Sequence, residues 1–459
     1  MRRRLNQVLG VLGVLGVLGG AAVLAVVVVP MPGAGATAHA PAHAPAPAPA
    51  IQHVIVVMQS GHSFDNYFGT RRGVDGIPAK ACQPLAPNSV TCDVKPYHLS
   101  LDQARAGLTD NLTVTQKAIN KGKMNGFVSA QSNTAIGSVA MGYLNGNDLS
   151  YYWSLASRFT LFDHFYAASQ AGALPNRLVS VAATDGGLNS NAAPGGGINT
   201  PTIFDRLDAA GRSWKYYVQG YPPKTVSVGD QVRTPLLAMP SVTGTPARAA
   251  KIVNSSQYYV DLAKGQLPAV SYVTGSVNSE RSPQNPALGE AFVRTLVNAL
   301  MQSSAWRHTA LLLTYDDSGG WYDHSLPPTI GGTQVGLRVP AILVSPYARA
   351  GYVDGTQLDT ASIPAMIESV FGLPSLTAQD AGSKSILTAV DTHQQPIAPA
   401  VSPSGAAAVV VPRPAVATIY LLYGLAFVGA GLLIVWSLVR FRRDPLISAE
   451  APPSPEAPE

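Results

Sequence analysis

Two adjacent aspartates, Asp316 and Asp317, directly follow the apolar run 310–314, and Asp323 with His324 stand just past the double glycine Gly319-Gly320. Carboxylates crowded into one loop are the ligands a hard divalent cation takes, and a cation so held can polarise a bound oxygen. Two carboxylates rarely hold a metal alone, so further donors must come from elsewhere in the chain. Polar, glycine-containing stretches follow other apolar runs: Gln59-Ser60-Gly61-His62-Ser63-Phe64-Asp65, Ser279-Glu280-Arg281 and Ser345-Pro346-Tyr347. His62 and His164 read as loop or packing residues.

The elements that must position these loops are legible as patterns. Residues 53–58 (HVIVVM), 269–273 (AVSYV), 310–314 (ALLLT) and 339–344 (VPAILV) have the short apolar character of strands buried on both faces. Between them, Phe292, Val293, Leu296, Val297, Leu300 and Met301 recur at helical spacing. Thr202 is placed to cap a helix through Ala210 that Gly211 stops, and Ser362 to cap another ending at Gly372. Strands alternating with helices predict an α/β fold, a mostly parallel sheet with helices on both faces. Loops after parallel strands emerge on one edge, where α/β proteins place ligands, so these loops are expected to build one site.

Short motifs in a fixed order carry a resemblance. They include Ser63-Phe64-Asp65-Asn66-Tyr67-Phe68-Gly69, Gly73-Val74-Asp75-Gly76-Ile77-Pro78, Tyr151-Tyr152-Trp153, Pro175-Asn176-Arg177 and Thr202-Ile203-Phe204-Asp205-Arg206-Leu207. Thr314-Tyr315-Asp316-Asp317, Tyr322-Asp323-His324, Arg338-Val339-Pro340 and Gly351-Tyr352-Val353 continue it. Through most of residues 51–385 the chain resembles bacterial phosphoesterases of the phospholipase C and acid phosphatase type, within the alkaline-phosphatase-like superfamily. The resemblance implies an α/β/α sandwich, a divalent metal, a hydroxyl nucleophile, and hydrolysis of phosphoric esters, with phospholipid headgroups as a substrate class.

The same motifs expose departures. Where the family carries Glu-Asn as metal contacts, this chain has Ser60 and Gly61. The family's nucleophile, a Thr or Ser two residues before Pro-Asn-Arg, falls at Ala173, which has no nucleophilic atom. Its Ser-Glu-His-Pro run reads Ser279-Glu280-Arg281-Ser282, and its late Asp-His pair reads Asp359-Thr360. Asp316 and Asp317 remain the candidate metal ligands. Asn176, Arg177, Glu280, Asp323 and His324 are candidate cleft or substrate-contacting residues. Ser169, four residues before Ala173, has no activating setting in the sequence. Two readings stand: a phosphoric ester hydrolase, or a catalytically inactive pseudoenzyme that keeps the fold and binds a ligand or envelope partner.

Composition sets the expected compartment. The 459 residues are 46% hydrophobic and 12% charged, which excludes a largely disordered chain. The net charge of +5 includes Arg2, Arg3, Arg4, Arg440, Arg442 and Arg443, which flank two apolar ends. No basic stripe interleaved with aromatics occurs elsewhere, so no nucleic-acid partner is expected. Residues 1–40 read as a signal peptide or N-terminal anchor, 41–50 as an Ala/Pro linker, and 396–415 as a second Pro/Ala-rich linker. Residues 416–439 carry no charge and are expected to span the membrane as a helix, with 440–459 as a cytoplasmic tail. The phosphoesterase-like domain, 51–395, is then extracytoplasmic in a single-pass protein of the cytoplasmic membrane. Export permits a disulfide between the only cysteines, Cys82 and Cys92.

Overall fold

A computed structural model describes residues 51–402, 429–433 and 436. Eight strands form its main sheet: β1 (His53–Gln59), β2 (Thr160–Phe162), β3 (Trp214–Val218), β4 (Ile252–Asn254), β5 (Val270–Thr274), β6 (Thr309–Tyr315), β7 (Ala341–Val344) and β8 (Val353–Asp354). Their spatial order is β8-β2-β7-β6-β1-β5-β3-β4. β1 lies inside the sheet and pairs parallel on both sides, with Val56 opposite Tyr272 of β5 and Leu312 of β6. Val54, Ile55, Val56 and Val57 are all fully buried. Successive strand side chains point to opposite faces, so both faces of β1 are covered.

Six helices matter for the site: α1 (Phe64–Phe68), α2 (Ser150–Arg158), α3 (Ala173–Ala182), α4 (Ile203–Ala209), α5 (Pro286–Gln302) and α6 (Ser362–Phe371). α4 starts at a capping box between Thr202 and Asp205. α5 starts with Pro286, whose missing N–H costs nothing in a first turn, and buries Val293, Leu296, Val297 and Leu300. α6 ends at Gly372 in the left-handed region, but Ser362 is its first helical residue and Ala361 holds the cap position. The fold is thus mixed α/β with a large, mostly parallel sheet.

One strand departs from the expected direction. β7 runs antiparallel to both of its neighbours, β2 and β6. A buried apolar run reads the same in either direction, so its sequence carries no sign of this. Ser345-Pro346-Tyr347 therefore leaves at the edge opposite the other loops. Arg338, Val339 and Pro340, which precede β7, take its place at the site.

The single-pass membrane placement is corrected. Among the described residues no helix is long and apolar enough to cross a membrane. Of the expected span only 429–433 and 436 are described as helix. The expected signal or anchor, the first linker, most of the second, the rest of the span and the tail lie outside the described residues.

Candidate active site

The C-terminal ends of β1, β5 and β6 are laced together before any side chain is considered. Ser60 donates its N–H to Ser279 O, Asp316 its N–H to Gln59 O, and His62 its N–H to Asp317 O, at 2.9, 3.1 and 3.1 Å. Gly61 (φ +77°) and Gly319 (φ +64°) make this crossing possible, because a Cβ on Gly319 would lie 2.0 Å from Gly61 O.

Asp316 is fully buried, and its Oδ2 accepts from Ser60 Oγ at 2.6 Å and Arg177 Nε at 2.7 Å. Arg177, also fully buried, spends its other nitrogens on Thr274 Oγ1, Ser60 Oγ and the carbonyls of Met58, Gln59 and Arg233. Asp316 Oδ1 is buried with no hydrogen-bond partner. Asp317 is held differently. Arg281 Nη1 lies 3.0 and 3.1 Å from its two oxygens, and Arg281 Nη2 donates to Asp110. Burial lowers the Arg281 pKa, but Asp317 and Asp110 raise it by more, so the guanidinium stays charged.

Ala173 is the first residue of α3 and is fully buried. The turn that delivers it is closed by Asn176, whose Nδ2 donates to Ser169 O and Gly172 O while its Oδ1 accepts from Ser169 N–H. Beside this turn lies a cavity of about 10 Å³ lined by residues including Asp110, Ser169, Gly172 and Asp317. That is roughly the room for one water molecule. Ser169 is the hydroxyl there closest in sequence to Ala173, but no histidine lines the cavity to activate it. At the late pair, Thr360 Oγ1 accepts from Ala168 N–H, and Asp359 accepts from Ala361 N–H.

Behind the aspartates sits a buried carboxylate. Glu280 accepts from the hydroxyls of Tyr67, Tyr152 and Tyr315 and from Gln59 Nε2. Burial pushes it up to about 7, against the pull of those donors. His62 stacks on Tyr67 and Trp321, with ring centroids 4.4 and 5.7 Å away, and burial takes its pKa down to about 4. It is a packing residue.

Asp65, Asp323 and His324 offer ligand atoms within 4.8 Å of one another, a spacing a metal could use. Arg338 pairs with the same carboxylates, with Nε 2.9 Å from Asp323 and Nη2 3.1 Å from Asp65. Asp65 Oδ2 accepts from His324 Nδ1 at 2.7 Å. Burial pulls the His324 pKa down, Asp65 pulls it up further, and the net shift is upward. His164 bonds Asp163 and approaches Asp75 at the rim of this network.

The Phosphoesterase family profile matches residues 51–374. The chain belongs to the phosphoesterase family. Phospholipase C A of Mycobacterium tuberculosis is 28% identical over 387 residues, covering 71% of this chain and 73% of its own. Non-specific phospholipase C1 of Arabidopsis thaliana is 28% identical over 386 residues, covering 72% and 69%. Among solved structures, an alkaline phosphatase superfamily protein from Vibrio parahaemolyticus gives a TM-score of 0.40 at 14% identity, covering 73% of this chain and 70% of that one. A likeness that slight adds nothing to the assignment.

At the aspartate pair the residues present do not fit a phosphoesterase's divalent cation, whereas Asp65, Asp323 and His324 remain a possible metal-holding cluster. Ser60 and Gly61 supply neither carboxylate nor amide. Asp316 Oδ2 is taken by Ser60 and Arg177, and both oxygens of Asp317 are taken by Arg281. Asp316 Oδ1 alone is open, and one oxygen does not make a Ca²⁺ or Mg²⁺ site. The structure brings Asp316, Asp317, Arg177 and Glu280 to one sheet edge, with Ala173 and Asn176 beside them. Asp323 and His324 belong to the Arg338 network. Sequence reasoning did not find Asp110, which has no motif around it, or the three tyrosines around Glu280, whose conversion into one cage depends on the fold.

Proposed function

We propose that this phosphoesterase-family chain is a non-hydrolytic member that has left the hydroxyl-nucleophile route and acts by binding. One observation carries the reading: the Arg281 guanidinium rests on both oxygens of Asp317, beside a cavity of only about 10 Å³. A fixed organic cation neutralises that carboxylate where a metal would have to exchange water and substrate oxygens. Ala173 supports the same reading, because a methyl group cannot attack phosphorus. Losing nucleophile and ligand positions together fits a relaxed catalytic unit, since further losses cost little after the first.

A second reading, hydrolysis of phosphoric esters with phospholipid as the substrate class its relatives' names carry, is favoured by Asp316 Oδ1. A buried carboxylate oxygen without a partner is suited to a cation. The discriminating experiment measures bound metal and hydrolysis of a chromogenic phosphodiester by the purified chain in excess Ca²⁺, Mn²⁺ or Zn²⁺. The expected result is no stoichiometric metal and no turnover above the uncatalysed rate. Turnover of ~1 s⁻¹ or faster, an ordinary enzyme rate, would overturn the non-hydrolytic reading.

A further inference from the structure

We propose that the groove between the loop 69–78 and the segment 79–96 is a binding site for a phosphate ester, separate from the aspartate cleft. The groove has a volume of about 500 Å³, and Arg72, Lys95 and Tyr143 line it together with Gly69, Gly76 and Pro78. That is within the usual range for small-molecule sites, where volumes run ~300–1,000 Å³. No carboxylate lines it, and it shares no residue with the cavity at Asp317.

Its charges are uncommitted. Arg72 and Lys95 are exposed, and neither forms an ion pair with a carboxylate among the described residues. Two cations facing one concavity without a counter-charge raise the local concentration of anions. An arginine fork takes two phosphate oxygens at once and a lysine adds a point charge, the pairing that suits a phosphate dianion. Arg71 also lines the groove, but its guanidinium is committed, bonding Ser157 Oγ and Ala156 O and lying over the Trp153 ring.

Both walls are fixed beforehand. The loop 69–78 is closed by Ile77 N–H donating to Gly69 O at 2.8 Å, and a Cβ on Gly76 would lie 2.3 Å from that oxygen. The opposite wall is tied by the Cys82–Cys92 disulfide and the Gln83–Val94 bridge. Gln83 anchors it inward, donating to Met124 O and accepting from Phe127 N–H. Cations standing on rigid backbone lose less freedom on binding, which is where preorganised sites gain affinity. This site stands whether or not the aspartate cleft turns over.

A soluble phosphate ester and a phospholipid headgroup share this chemistry, and two probes separate them. Calorimetric titration of the purified chain with glycerol 3-phosphate at low salt tests the soluble source. Flotation with vesicles of phosphatidylglycerol in phosphatidylcholine, against phosphatidylcholine alone, tests the headgroup. The double variant Arg72→Ala, Lys95→Ala should weaken whichever binding is seen by roughly tenfold or more, as expected for two lost charge-assisted bonds. The exposed pair Lys121 and Lys123 lies outside the groove, so Lys121→Ala, Lys123→Ala should leave it unchanged. Binding of glycerol 3-phosphate with that pattern assigns a soluble ester, and vesicle binding alone with that pattern assigns a headgroup. No binding to either probe, or equal losses in the two double variants, would overturn the proposal.

Discussion

Replacing Arg281 with methionine keeps most of the aliphatic stem and removes the guanidinium with its charge, leaving Asp317 and Asp110 facing each other. The side chains of Arg281, Asp317 and Asp110 are 29%, 8% and 16% exposed, so bulk water screens them weakly. At an effective dielectric constant of ~20, charges ~4 Å apart attract by about 4 kcal/mol, and Arg281 serves two carboxylates. The guanidinium's own desolvation and immobilisation offset part of that sum. A net loss of roughly 3–5 kcal/mol at pH 7 is therefore expected, the range for uncompensated buried charge. Burial already holds the Asp317 carboxyl well above its ordinary pKa against the pull of Arg281, and losing Arg281 raises it further. The variant's stability is then greatest below the unfolded pKa of ~4 and falls as pH rises, so the gap to the parent narrows in acid. Urea unfolding of both proteins at pH 7 and pH 4 measures this. A second readout tests whether the guanidinium stands where a metal would: Ca²⁺ or Mn²⁺ should raise the variant's midpoint and leave the parent's unchanged. At a hundred times its dissociation constant a bound ion adds about 2.7 kcal/mol. A loss below ~1 kcal/mol at pH 7 would refute the reasoning about buried charge.

Ala173→Thr alone should yield no turnover of a chromogenic phosphate ester and no phospho-enzyme on acid quench, because the cation positions stay unfilled. Combining it with Ser60→Glu, Gly61→Asn and Arg281→His should give the first measurable rate. Asn accepts the positive φ at 61, and Arg281→His removes the guanidinium Nη1 that would lie 3.5 Å from its Cβ; activity in the single variant would sink this account. Cys82→Ser with Cys92→Ser opens a disulfide of sequence separation 10 and should cost about 3 kcal/mol in the chain-entropy model, read as a lower urea midpoint. Glu280, raised to about 7 from 4.5, contributes stability that is fully present below pH 4.5 and lost as pH rises through about 7. The loss is on the order of 3 kcal/mol, and Glu280→Gln should flatten that pH profile; an unchanged profile would remove Glu280 as its source.

The central strands were legible because β1, β5 and β6 are each buried almost throughout and built around runs of apolar residues, and a strand covered on both faces leaves that mark. β3 was not, because Trp214-Lys215-Tyr216-Tyr217-Val218 mixes aromatics with a charge, and β2 and β8 are too short to show a period. The reversal of β7 was invisible, and with it the arrival of Arg338 at the site. Motif order located Ala173, Ser60, Gly61, Asp316 and Asp317. It marked Arg281 as a substitution, yet where a long flexible side chain comes to rest depends on Asp110, 171 residues away in sequence. The basic groove had no sequence signature either, since Arg72 and Lys95 meet only when two loops fold side by side.

The place of β1 in the sheet also shapes how the chain must be made. Val54 pairs with Val270 and Ala310, so the strand synthesised first waits for partners more than two hundred residues behind it. At ~5–20 residues per second, that delay is roughly 10–50 s. Throughout it a fully apolar segment has no neighbour to cover either edge, the condition under which strands of different chains find each other. Slow nonlocal closure of this kind ties the yield of folded protein to whatever shields residues 53–59 until β5 and β6 exist.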